Sequence, residues 1–61
     1  MKSIIEELNN KNITMLDIAL KLNVNPSTVY RWKKTQVPKK YYKEMLFLIR
    51  KHNIHIDEVR F

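Results

Sequence analysis

The sequence predicts a small all-α domain of compact build: four short helices, with room for a fifth, and a C-terminal tail free to run extended. Three observations predict it. Sixty-one residues suffice for one domain only. Glycine is absent and proline occurs twice, while Leu, Ile, Lys and Glu are frequent, a composition that favours helices joined by short turns. Apolar residues recur at three- and four-residue spacing in successive stretches separated by polar breaks.

The first helix is expected over residues 2–10, where Ile4, Ile5 and Leu8 share a face. Asn9, Asn10 and Asn12 stop it, because asparagine tolerates left-handed backbone. The second helix begins near Thr14. Thr14 and Asp17 have the spacing of a capping box, with Asp in place of the better Glu. Met15, Ile18, Ala19 and Leu22 then fall on one face. Asn23 ends this helix, since asparagine follows glycine in preference for the left-handed residue past a helix end. Val24 follows as a plug. Asn25 is a good N-cap for the third helix, and Pro26 takes the first helical position, where a missing N–H costs nothing.

The third helix, residues 26–34, turns Val29 and Trp32 to the core and Ser27, Tyr30, Arg31 and Lys34 outward. After a short connection Pro38 starts the fourth helix, which runs to about residue 52. Its main stripe is Tyr41, Tyr42, Met45, Leu48, Ile49 and His52; Leu46 and Phe47 widen the apolar surface beyond one core contact. Residues 53–61 carry no helical pattern, and Ile54-His55-Ile56 alternates as a short strand does.

Composition bounds the function. There is no cysteine, which excludes disulfides and thiolate metal sites and fits a reducing cytoplasm. The longest strictly apolar run is the five residues from Met45 to Ile49, against about 20 for a membrane-spanning helix. The N-terminus lacks a signal-peptide pattern, so a soluble, cytoplasmic protein is expected. No nucleophile–base set, glycine-rich phosphate loop or paired carboxylates suggest an enzyme, a cofactor or a small-molecule ligand. His52 and His55 form an H-x-x-H pair without the further ligands a metal site needs, so no metal is expected. The net charge is +6. Arg31, Lys33, Lys34, Lys39, Lys40 and Lys43 follow one another without an intervening acid until Glu44. Such a patch concentrates phosphate and speeds encounter with nucleic acid, though a solvated lysine face is the plainer explanation of charge alone.

The spacing sharpens the choice. Two short helices joined by a tight turn over about residues 15–34, the second with a basic outer stripe, suggest a helix-turn-helix. Ala19 is the small residue needed where the helices cross, Asn23 accepts positive φ, and Ile18, Leu22, Val24, Val29 and Trp32 close the core between them. The stretch TMLDIALKLNVNPSTVYRW, residues 14–32, resembles the helix-turn-helix of lambda-repressor-like regulators. The following KKTQVPKKYYKEMLFLI is similar to the sequence after the recognition helix in small phage Cro repressors and related cytoplasmic regulators. The resemblance covers roughly residues 2–52. It departs from the family at Asn23, where glycine is usual, and at Leu16 and Leu20, where polar residues are frequent. Those two leucines form a second apolar strip that either covers the first helix or lies exposed as a partner surface.

The resemblance implies a transcriptional repressor that binds a short double-stranded DNA operator as a dimer, with free dimerisation weak enough for DNA to complete it. Ser27, Tyr30, Arg31 and Lys34 are then the base-reading candidates, Arg31 by a bidentate pair with guanine. Lys33, Lys39, Lys40 and Lys43 are phosphate anchors. Thr14 and Asn25 serve as helix-end or phosphate contacts. The excess apolar surface late in the chain suggests a homodimer formed by residues 38–61 through Phe47, Ile54, Ile56, Val59 and Phe61, the alternating segment pairing with its symmetry mate. The contrary arrangement folds the tail back onto its own first helix. Three other functions compete: an antitoxin-like or plasmid-encoded regulator that also holds a protein partner through Leu16, Leu20 or the fourth helix; a protein-interaction module whose basic face only keeps it in solution; and single-stranded RNA binding, which needs exposed aromatics where most of these are expected to be buried.

Overall fold

The structure, a computed structural model, describes residues 2–61. The chain runs through β1 (Lys2–Ser3), α1 (Ile4–Asn10), α2 (Met15–Leu22), α3 (Pro26–Lys34), a 3-10 turn (Lys39–Tyr41), α4 (Tyr42–Lys51), a second 3-10 turn (Ile56–Glu58) and β2 (Val59–Arg60). It is mostly helical, as the composition predicts.

Each helix start has a local cause. The first begins two residues later than the pattern suggests, because the Ser3 hydroxyl accepts the Ile5 N–H at 3.2 Å and makes Ser3 its N-cap. Thr14 and Asp17 form the reciprocal capping box: Thr14 Oγ1 accepts the Asp17 N–H at 3.1 Å, and Asp17 Oδ2 accepts the Thr14 N–H at 3.2 Å. Asn25 caps α3 through the Ser27 N–H, with Pro26 in the first turn. The fourth helix has no side-chain cap. Pro38 is extended there, and the Tyr41 N–H donates to the Pro38 carbonyl at 3.0 Å, so the segment expected to start α4 is a 3-10 turn.

Three helix ends are built alike. Asn12, Asn23 and Asn53 have φ of 69°, 58° and 56°. In each case the next residue donates its N–H five positions back: Ile13 to Leu8, Val24 to Ala19 and Ile54 to Ile49, all at 3.0 Å. This is the Schellman closure, with an apolar residue after the left-handed one folding onto the helix it ends. Asparagine takes the glycine role throughout a chain that has no glycine.

The core joins all the helices. Ile4, Ile5, Leu8, Ile18, Val29, Val37 and Met45 are fully buried, and Ala19, Leu22, Trp32, Leu48 and Ile49 surround them. Tyr41 packs on Trp32 with ring centroids 4.9 Å apart, and Tyr42 meets Phe61 edge-on at 4.7 Å. Among the described residues no helix is long and apolar enough to cross a membrane.

The tail corrects the expectation of a symmetry-pairing strand at residues 54–56. The Schellman closure at Asn53 turns Ile54 inward, where it is buried, and residues 56–58 coil into a 3-10 turn. The strand forms later, and within the chain: β2 lies parallel to β1 with Lys2 opposite Val59 and Ser3 opposite Arg60. Val59 is buried and Phe61 half-buried against the same core. The tail thus folds back toward α1, the contrary arrangement noted above, because this core still has room for Ile54 and Val59.

Candidate nucleic-acid interface

The two helices lie where the spacing places them, α2 ending at Leu22 and α3 starting at Pro26. Ala19 is 1% exposed and belongs to the core between the packed helices. Asn23 turns the chain through left-handed backbone, and Val29 and Trp32 hold α3 by its inner face.

The outer face of α3 follows by rotation. Ser27, Tyr30, Arg31 and Lys34 are all exposed, on the side away from Val29 and Trp32. Lys34 Nζ lies 5.1 Å from the centroid of the Tyr30 ring, so these two neighbours one turn apart steady each other. Ser27 is less free than the other three. Its hydroxyl donates to Asn25 Oδ1 at 2.8 Å. In that rotamer it offers only lone pairs to an outside group, which suits a base amino group better than a phosphate. Thr14 and Asn25 both act at helix ends. Thr14 Oγ1 accepts within the box, which leaves its hydroxyl hydrogen free to donate to an outside acceptor such as a phosphate oxygen.

Positive charge continues past this helix. Arg31, Lys33 and Lys34 occupy the last turn of α3, where they oppose the negative end of its dipole. Lys39 and Lys40 stand exposed on the 3-10 turn and Lys43 on the first turn of α4, with Lys40 Nζ 5.1 Å from the Tyr41 ring. Lys33 is half-buried.

The residues expected at a dimer interface divide. Ile54 and Val59 lie in the chain's own core and Phe61 leans on Tyr42, whereas Phe47 and Ile56 remain 53% and 49% exposed. Phe47 carries Lys21 Nζ 4.7 Å above its ring. Leu16 and Leu20 do not cover α1; they are 55% and 72% exposed on α2.

Sequence reasoning missed Arg60. Its Nη1 donates to the Thr35 carbonyl at 2.7 Å and its Nη2 to the Lys33 carbonyl at 3.4 Å. No local pattern announces it, because the two ends of this contact lie 25 and 27 positions apart.

No family model, curated protein or solved structure matches this chain.

Proposed function

We propose that the chain is a binding protein rather than an enzyme: a sequence-specific regulator of transcription that reads double-stranded DNA with the outer face of α3. One observation carries the reading. Ser27, Tyr30, Arg31 and Lys34, all exposed on α3, stand opposite its buried anchors, and the basic residues after the helix continue from them without an acid before Glu44. Side chains of this kind on a short, well-capped helix suit base edges in the major groove, and the flanking lysines suit the phosphates on either side. A Cro-like repressor of a phage, acting in the bacterial cytoplasm, is the form of this reading that the resemblance supports.

Size supports two copies on the DNA. The longest dimension of the chain is 26 Å. Half-sites on one face of the duplex are about 34–36 Å apart, so one chain reaches one half-site. Phe47 and Ile56 are the apolar residues of the late segment left exposed to join two copies.

Selection from a pool of random duplexes tests the reading. The expected result is an enriched palindromic motif with half-sites about one helical turn apart. Absence of binding to any duplex at low salt would overturn it in favour of an interaction module. A second reading, an antitoxin-like or plasmid-encoded regulator that also holds a protein partner, is favoured by one observation: Leu16 and Leu20 lie bare on α2, one turn apart.

A further inference from the structure

We infer that Arg60 is a positioning residue for α3: the tail reaches across the fold and holds the exit of the helix that carries the reading face. The inference rests on the assignment of α3 as the DNA-reading helix.

The last carbonyls of a helix have no partner within it and need one from outside. At α3 the first such need is met locally, since the N–H and the hydroxyl of Thr35 both donate to the Arg31 carbonyl, at 3.0 and 2.9 Å. Of the acceptors beyond it, the carbonyls of Lys33 and Thr35 are taken by the Arg60 fork. A planar guanidinium bridges two acceptors at a fixed separation, which an ammonium does not do. The base of the fork is itself held. Val59 is buried beside it, Arg60 lies opposite Ser3 in the β1–β2 pair, and the Phe61 carbonyl accepts the Val37 N–H. The chain leaving α3 is therefore tied to the tail at Lys33, Thr35 and Val37.

This arrangement has an electrical consequence as well as a mechanical one. The C-terminal end of a helix carries partial negative charge. Lys33 lies in the last turn and Lys39 and Lys40 on the 3-10 turn that follows, and these are the phosphate candidates there. Arg60 places a full positive charge on the exposed carbonyls and removes a repulsion that an approaching phosphate would meet. The inner face of α3 is fixed by Val29 and Trp32, so the fork governs its last turn, where Arg31 and Lys34 sit. Those two side chains carry discrimination only while that turn keeps its direction.

The test compares the full chain with R60M and R60K. Hydrogen exchange of the amides is read together with affinity for an enriched duplex and for random duplex across salt. Arg60 is exposed, so both variants are expected to fold. In R60M the amides at the end of α3, Thr35 above all, should exchange roughly tenfold faster while those of α1 and α2 do not change, the loss matching about one hydrogen bond to a charged group. Affinity for the enriched duplex should fall by a similar factor and affinity for random duplex by less, with the salt slope lowered by well under one. R60K keeps the charge without the fork and should recover part of the affinity. Unchanged exchange together with a salt slope lowered by about one would make Arg60 a phosphate contact and overturn the inference. Faster exchange everywhere would reduce it to general stability and overturn it too. If the unmodified chain binds no duplex, the DNA reading fails by itself, and exchange still decides whether Arg60 holds the end of α3.

Discussion

Arg31 and Lys39 carry the same charge but sit in different settings, and the difference is measurable. Arg31 stands on the outer stripe of α3, whereas Lys39 stands on the 3-10 turn beyond it. On the proposed reading, Arg31→Ala should cost about 1–3 kcal/mol against the enriched site and little against random duplex. Lys39→Ala should weaken both alike and reduce the salt slope by about one. Titration of both duplexes at several salt concentrations separates these roles, and identical behaviour of the two variants would undo the assignment. Trp32 makes a different demand. It is 5% exposed and packs its ring against Tyr41 at a tilt of 43°, so Trp32→Ala should cost about 3–5 kcal/mol and largely unfold a domain with so little margin. Circular dichroism would show it; a folded variant that had merely lost binding would move Trp32 out of the core role. The faces of Arg31 and Trp32 were readable from spacing, since positions three or four apart share a helix face. Arg60 was not, because its partners are backbone carbonyls that any residue supplies.

At the scale of elements, the helix ends do much of the specifying. Asn12, Asn23 and Asn53 are left-handed, and a left-handed residue with a Cβ costs about 1–2 kcal/mol unless its side chain helps, as asparagine's does. Asn→Ala at each position should therefore lower stability by about 1 kcal/mol, and Asn→Gly should be close to neutral. Denaturant titration of the six variants checks this; equal losses for alanine and glycine would mean that the asparagine side chains matter for some other contact. The stops at Asn12 and Asn23 were visible in the sequence because each is followed by a clear new start, Thr14 with Asp17 and Asn25 with Pro26. Asn53 was harder to see. No cap follows it, and the alternation after it imitates a strand, although Ile54 belongs to the same Asn-plus-apolar closure as Ile13 and Val24.

For the whole molecule, the four helices followed from local periodicity, while the route of the tail did not. Whether Ile54 and Val59 enter this core or that of a second copy depends on the space left between α1 and α4, a quantity no local pattern holds. Their burial leaves Phe47 and Ile56 as the apolar residues of the late segment through which two copies can join. So small a contact predicts weak association in free solution, with DNA completing the pair. Sedimentation over a range of concentrations should show a monomer alone and two chains per palindromic duplex. A Phe47→Ser, Ile56→Ser variant should bind one half-site as before and lose the cooperative second step. One chain per duplex, indifferent to those substitutions, would contradict the proposal.

The short pairing of β1 with β2 also bears on the order in which the molecule assembles. It joins residue 2 to residue 59, so nearly the whole chain must be closed before it forms. Contacts among α1, α2 and α3 close much shorter loops and are expected to form first, with the tail docking late. Val59→Ala, a loss of about 2 kcal/mol, should then hardly slow refolding and should speed unfolding roughly 30-fold. Stopped-flow refolding and unfolding would show it, and a matching loss of refolding rate would place the tail in the nucleus. A late-docking tail is also the first to leave. The final turn of α3, tied through Arg60, would then loosen in brief excursions during which the rest of the domain stays folded.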